Sequence, residues 1–319
     1  MNEVFFNQLG IPAFNYNLGV GSGTRGYQIR SMIPKIYKII NENEYPIVLV
    51  QGDTNSVLSG AIATKKTKTK LGHVEAGLRS YDDEMPEELN RIITDHCSDL
   101  LFAPTIHSET ILLDEGFSRN SVFLTGNTIF DIVNSYSKII EKNNIMQKYD
   151  ITPNEYFLVT LHRKENVDNN QRFNKLIEIL NKLSDKYDVP IIFPIHPRSK
   201  KVIKKYKINT GKIILTDPLD YFSFLNLEKN AKIILTDSGG VQEESCILKV
   251  PCVTLRNNTE RPETVEVGSN IVAGLEPQMI VSSVDTMLNS KRNWTNPFGN
   301  GTAGIQIMDI LSDYIENNS

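Results

Sequence analysis

Residues 232–245 read KIILTDSGGVQEES. The apolar run after Lys232 is strand-like in length and composition, and Thr236-Asp237 closes it. Ser238-Gly239-Gly240 then lets the backbone approach a partner closely, and helical spacing begins near Val241. A strand that feeds a glycine turn and a helix leaves the first N–H groups of that helix without intrahelical partners, which suits a phosphate or nucleotide. Glu244, about one turn into the helix, is placed to meet a ribose diol. A plain capped turn is the competing reading of the same residues.

The pattern recurs along the chain. Apolar runs stand at 46–53, 70–77, 99–105, 121–127, 155–162, 189–196, 212–217, 232–240 and 250–256, separated by amphipathic stretches such as YQIRSMIPKIYKII and RFNKLIEILNKLSDKY. Alternation of this kind predicts an α/β protein with parallel sheets flanked by helices, which binds ligands at the carboxyl ends of its strands. The polar stretch 141–154, EKNNIMQKYDITPN, suggests a junction between domains 1–148 and 149–303, and a last helical segment, 304–319, follows the glycine-rich NPFGNGTAG. KIILTD occurs twice, at 212–217 and 232–237, and two copies do not make a solenoid.

Composition bounds the partners. The 319 residues are 40% hydrophobic and 23% charged with a net charge of −4, which gives no general attraction to nucleic acid or anionic membranes. Any bound anion must be held locally. Cys97, Cys246 and Cys252 have no metal-ligand spacing and cannot all pair, as in a reducing compartment. The N-terminal MNEVFFNQLG lacks the apolar centre of a signal peptide, and no run approaches a membrane span of about 20 residues, so a cytoplasmic protein is predicted.

Strand ends concentrate the polar residues that could do chemistry. IVLVQGDTNS delivers Asp53 to a strand end, where it either caps the next helix or faces a ligand. LGHVEAGLRS places Glu75 at another, with His73 on the same face by the period of two; Glu75 either serves a site or pairs with Arg79. In MPEELNRIITDH, Pro86 suits the first helical position and Glu87 and Glu88 the first turn. There Leu89, Ile92 and Ile93, with Leu100, predict the core stripe, leaving Glu87 and Arg91 paired on the opposite face. LVTLHRKENV and IIFPIHPRS bring His162, Arg163, His196 and Arg198 to strand ends as a cationic wall for phosphate, and RNNTERPETVEVG presents Arg261 before a proline. GVGSGTRGYQ (19–28) fits G-x-G-x-x-G, but no good strand precedes it and no strand-end acid follows, so a loop capping a helix near Tyr27 is expected.

GDT (52–54), HVEAGLRS (73–80), PEELNR (86–91), HRKENV (162–167), TDSGGVQEE (236–244) and TERPE (259–263), in this order and at these separations, resemble the non-hydrolysing UDP-N-acetylglucosamine 2-epimerases over nearly the whole chain. The resemblance implies a GT-B-like fold, with two Rossmann-like domains facing a central cleft and a C-terminal helix crossing back to the first. It implies interconversion of UDP-GlcNAc and UDP-ManNAc by elimination and re-addition of UDP at C1, with proton exchange at C2. Asp53, Glu75, Glu87 and His162 fall on the family's catalytic positions. Arg91, Ser238, Gly239, Gly240, Glu244 and Arg261 fall on substrate-binding positions, and Arg163 and His196 match positions touching an activating second UDP-GlcNAc. No metal or other cofactor is implied, and a homodimer is. The same motifs leave open a related UDP-sugar such as a UDP-diacetamido-glucuronate, a GT-B glycosyltransferase, or a UDP-sugar-binding protein of weak turnover. Family members begin with a strand, a GTRPE-type loop and a helix, for which Gly23-Thr24-Arg25 is no substitute. The expectation for the 319 residues alone is therefore reduced stability and weak or absent turnover.

Overall fold

The structure, a computed structural model, describes residues 10, 12–195, 197–206 and 208–318. Its elements form two compact units, Ile11–Asp131 with Phe298–Ser319, and Ile132–Pro297. The first begins with α1 (Arg25–Asn43), β1 (Ile47–Gln51), α2 (Asn55–Lys65), β2 (Lys70–Val74), α3 (Pro86–Cys97), β3 (Leu100–Ala103), α4 (Ile106–Asp114) and β4 (Val122–Leu124). Helix α5 (Thr128–Ser135) leads out of it. The second unit follows with α6 (Ser137–Glu141), α7 (Ile145–Lys148), β5 (Phe157–Thr160), α8 (Lys164–Val167), α9 (Asn170–Tyr187), β6 (Ile191–Pro194), α10 (Pro197–Tyr206) and β7 (Ile213–Thr216). It continues through α11 (Tyr221–Asn230), β8 (Ile233–Thr236), α12 (Gly239–Ile247), β9 (Cys252–Thr254), α13 (Pro262–Glu266), β10 (Asn270–Val272) and α14 (Pro277–Leu288), and α15 (Ala303–Asn318) rejoins the first unit.

The chain crosses between units at Asp131/Ile132 and Pro297/Phe298, ahead of the polar 141–154 stretch and of residue 303. Burial explains the first shift. Val133 and Ile140 pack with Phe222 and Leu225, and Asn226 Nδ2 donates to the Ile140 carbonyl at 2.7 Å, so α6 is anchored in the second unit before the polar run ends.

Both sheets are parallel. The first runs β1-β2-β3-β4, with Ile307 and Leu311 of α15 packed on Val74, Leu100 and Phe102, while Leu101, Ala103 and Leu112 form a separate cluster with α4. Asp131 accepts from the Ala303 and Gly304 N–H groups at 3.0 and 2.7 Å, capping α15. The second sheet runs β10-β9-β8-β5-β6-β7. Phe157, Val159, Ile233 and Leu235 bury one face of it under α9 and α14; the alternating Leu158 and Ile234 pack towards Leu227 and Val241 on the other. The chain steps from β5 to β6 and β7 on one side, then returns to β8 on the other. That reversal between β5 and β8 is the place where an open parallel sheet parts its connecting loops and accepts a ligand.

The glycine-rich loop makes the helix cap that its sequence predicts: Thr24 Oγ1 accepts from Tyr27 N at 3.3 Å, α1 starts at Arg25, and residues 12–23 contain no strand. Among the described residues, no helix is long and apolar enough to cross a membrane.

Candidate active site

In the first unit, the acids gather at the ends of β1 and β2. Gly52 turns the chain at φ +81°, and Asp53 follows with its side chain about one quarter exposed. Thr54, not Asp53, caps α2: its Oγ1 accepts from Val57 N. Asp53 Oδ2 instead receives Arg91 Nη2 at 2.5 Å. Glu75 stands in the left-handed region at φ +73°, a conformation that strains a non-glycine residue and clusters at functional sites. Arg79 is committed elsewhere, holding Glu115 through Nε and Nη2 at 2.8 and 2.6 Å and Asp95 through Nη1 at 2.7 Å.

Helix α3 corrects the sequence reading of its faces. Leu89 is 60% exposed, whereas Glu88, Asn90, Arg91, Thr94 and Asp95 are buried. The inversion is tolerable because the buried charges satisfy one another. Glu88 Oε2 accepts from Ser80 N, Ser80 Oγ and Arg91 Nη1 at 2.9, 2.8 and 2.7 Å, and its Oε1 accepts from Tyr81 N at 2.9 Å. Arg91 therefore bridges Asp53 to Glu88 instead of pairing with Glu87 across the helix, and Glu87 sits half-buried in the first turn. Asn90 Nδ2 donates to the Asp53 carbonyl at 2.8 Å, a second brace on the same turn. Glu88 and Asn90 were legible only as members of PEELNR; their contacts lie across other loops.

In the second unit, β5 and β8 end side by side, with Thr160 registered against Thr236 and their hydroxyls 2.6 Å apart. Beyond them lies Asp237, fully buried, which sequence reasoning left as a strand terminator. It accepts from His162 N, Arg163 N and Asn166 Nδ2 at 2.9–3.2 Å, and His162 Nδ1 lies 2.9 Å from its Oδ1. Burial would raise the Asp237 pKa; the bonds from His162, Asn166 and the Arg163 amide outweigh it and hold the group below its ordinary value. A charged acceptor on Nδ1 selects the tautomer with its proton there and turns Nε2 outward on a half-exposed ring.

One residue on, Ser238 begins α12 without a side-chain cap. The first-turn N–H groups of Gly239 and Gly240 are those a helix leaves unbonded. A Cβ on Gly239 would stand 2.6 Å from Glu260 Oε1 and 3.8 Å from Arg261 Cζ, so the glycine is what lets this acid and this arginine close on the turn. Glu260 receives Arg256 Nη1 at 2.7 Å and Arg163 Nη2 at 3.3 Å; Arg261 is buried, with Nε on Glu243. Glu244 is buried too, and accepts from Tyr221 Oη at 2.8 Å. Burial pushes its pKa up to about 7, with the hydrogen bonds of Tyr221 and Glu228 working the other way. His196 lies outside the described residues.

Two parallel α/β units, one carrying braced strand-end carboxylates and the other an uncapped glycine turn at its topological switch point, define a GT-B-like fold of the nucleotide-sugar enzyme type. The family model described as UDP-N-acetylglucosamine 2-epimerase matches residues 1–312, and the chain belongs to that family. It is similar to the UDP-N-acetylglucosamine 2-epimerase of Methanocaldococcus jannaschii, at 50% identity over 98% of this chain and 87% of the relative. It is also 36% identical to the UDP-2,3-diacetamido-2,3-dideoxy-D-glucuronate 2-epimerase of Pseudomonas aeruginosa, over 98% of this chain and 87% of that one. The solved structure of the M. jannaschii enzyme in complex with UDP-GlcNAc and UDP superposes with a TM-score of 0.92, at 51% identity over 98% of this chain and 88% of that chain.

Proposed function

We propose that the chain is a non-hydrolysing UDP-N-acetylglucosamine 2-epimerase, interconverting UDP-GlcNAc and UDP-ManNAc. The observation that carries this reading is the presence in one chain of both chemical requirements, each at parallel-strand ends: braced carboxylates in one unit and an open anion turn in the other. In the forward elimination a carboxylate takes the proton from C2, the C1=C2 double bond forms, and the C1–O bond breaks with its electron pair going to UDP. Re-addition reverses these steps with the proton delivered to the opposite face of C2.

Asp53, Glu75 and Glu87 are assigned to the proton transfers, with Arg91 orienting Asp53 and lying beside the substrate. His162, turned by Asp237, is assigned to the departing diphosphate or to a proton upon it. The first-turn N–H groups of Gly239 and Gly240, with the Ser238 hydroxyl and Arg261, receive the diphosphate, and Glu244 the ribose; Ser238 N is already bonded to Thr236 Oγ1. Arg163 is assigned to a second nucleotide-sugar.

Incubation with UDP-GlcNAc in D₂O is the test. Deuterium at C2 in recovered UDP-GlcNAc and UDP-ManNAc, with no acceptor present, is the expected result. Binding without exchange would leave only a UDP-sugar-binding protein, and a strict need for an acceptor would indicate glycosyl transfer. Running UDP-diacetamido-glucuronate beside UDP-GlcNAc measures which sugar is preferred.

A further inference from the structure

His73 is absent from the roles assigned above, yet it is fully buried between the two turns that carry the acids. Its Nε2 lies 2.9 Å from the carbonyl of Gly52, the residue before Asp53. A carbonyl oxygen only accepts, so Nε2 carries a proton. Its Nδ1 lies 2.6 Å from Asp95 Oδ1, while Asp95 Oδ2 receives Arg79 Nη1 at 2.7 Å and Gly77 N at 3.3 Å. The Arg79 guanidinium and the Gly77 amide favour the ionised form of this carboxylate, which only accepts, so Nδ1 carries a proton as well. The ring is thus an imidazolium, locked between a carbonyl and a carboxylate.

We propose that His73 is a positioning residue for the epimerisation: a buried imidazolium that joins the Gly52–Asp53 turn to the Glu75–Gly77 turn and sets a positive charge beside Glu75. The inference rests on the assignment of Asp53 and Glu75 to proton transfer. Gly52 turns at φ +81°, which glycine adopts without strain but does not enforce, and Glu75 at φ +73° is held in the left-handed region that strains non-glycine residues, so an external tie fixes each turn. His73 supplies one to the first through Nε2 and one to the second through Asp95 and Gly77. The charged groups around it are Asp95 from α3, Glu75 beyond its own strand, and Arg79 on the far side of Asp95. Burial opposes the charge on the ring; the bond and charge of Asp95, the Gly52 carbonyl and the charge of Glu75 outweigh it and raise the His73 pKa above its ordinary value.

Nitrogen-15 NMR of the histidine-labelled wild-type chain tests the protonation state with no reference to activity. Both ring nitrogens of His73 are expected to carry protons at pH 7, and a neutral ring at that pH overturns the proposal. H73Q reaches only towards Gly52 and H73N only towards Asp95. Each is expected to lower kcat for C2 exchange about a hundredfold, the scale of a misplaced catalytic group, with UDP affinity unchanged and the acidic limb of the kcat profile moved to higher pH. Folded variants with wild-type kcat and an unmoved limb overturn the proposal. D53N and E75Q are run alongside; if these keep full exchange, the functional reading fails rather than the role of His73.

Discussion

The same six residues, KIILTD, occur at 212–217 and 232–237, and the structure puts both copies into parallel strands of one sheet. There the likeness ends. Strand β7 is the edge and its two middle residues are half-buried; β8 is internal and wholly buried. Asp217 points its carboxylate into solvent against Lys200 at 2.6 Å. Asp237, its counterpart, is buried under four donors. After β7 comes Pro218, and Asp220 caps α11 through a bond from Ser223 N, closing that helix end. After β8, Ser238 leaves α12 open. Local sequence specifies a strand that stops at an acid, and the position of the strand in the sheet decides whether the acid is solvated or becomes the centre of a site.

The largest expected effect is at the buried copy. Asp237→Asn swaps a carboxylate for an amide whose NH₂ must face the donors that Asp237 now satisfies. Breaking such a buried charged network costs about 3 kcal/mol, to be read from urea unfolding. Misdirecting His162 is expected to lower C2 exchange about a hundredfold as well. An unchanged unfolding midpoint and exchange rate would erase the distinction between the two copies.

Next comes the turn that only the β8 copy possesses. Gly239→Ala would place a methyl 2.6 Å from Glu260 Oε1, and Glu260 is tied to Arg256 and Arg163, so it has little room to give. Overpacking of this kind costs about 1–3 kcal/mol. Widening the turn is expected to weaken UDP binding about tenfold by calorimetry, and unchanged affinity would remove the anion turn from the proposal.

How much of this was written in the sequence can be judged from particular residues. The strands β1 to β9 read as apolar runs, as expected where internal parallel strands are buried on both faces, although edge strand β1 leaves Leu49 exposed; β10, in GSNIVAG, offers only Ile271, Val272 and Ala273 as apolar residues and gives too little pattern. The open turn at Ser238 was legible because glycine and serine between strand and helix have few other uses. The role of Asp237 was not, since its partners His162 and Asn166 lie more than 70 residues away. Helix α3 misled for a similar reason: hydrophobicity placed Leu89 inward, but Asp53 and His73, 38 and 22 residues from their partners Arg91 and Asp95, with Ser80 in the preceding loop, call its charged face into the interior. Similarly, the readings that paired Glu75 with Arg79 and Glu87 with Arg91 used neighbours along the chain, whereas Arg79 and Arg91 chose partners up to 38 residues away.

A pH comparison sharpens the contrast: Asp217 and Asp237 are both held below their ordinary values, but the helices flanking β8 carry a buried pair of acids whose values are raised. The Lys200 bond holds Asp217 below its ordinary value. Glu244 and Glu228, on the helices flanking β8, are both raised, first by burial and, for Glu228, by the charge of Glu244. For the raised pair the folded state binds more protons than the unfolded one. Its stabilising contribution is therefore complete below the ordinary carboxyl value of 4.5 and is lost as pH rises through about 7. Urea unfolding is expected to show stability falling over that interval. Glu228→Gln, which keeps the shape and removes one of the two acids, is expected to flatten the decline; an unaltered slope would mean the pair is not its source.

The smallest effect is expected at the other twin. Asp217→Asn removes a carboxylate whose side chain is 79% exposed, and Lys200, itself nearly half exposed, recovers its hydration when the partner goes. An exposed ion pair gains little because water screens it and two long side chains lose freedom in forming it. Thr216 still donates to the residue 217 carbonyl, and Ile195 N still bonds the Thr216 carbonyl, so neither the strand end nor its register depends on the carboxylate. The expected result is an unchanged melting temperature and an unchanged C2 exchange rate, at low and at high salt. A loss at Asp217 approaching that at Asp237 would mean that the shared TD ending, rather than the reversal between β5 and β8, makes the site.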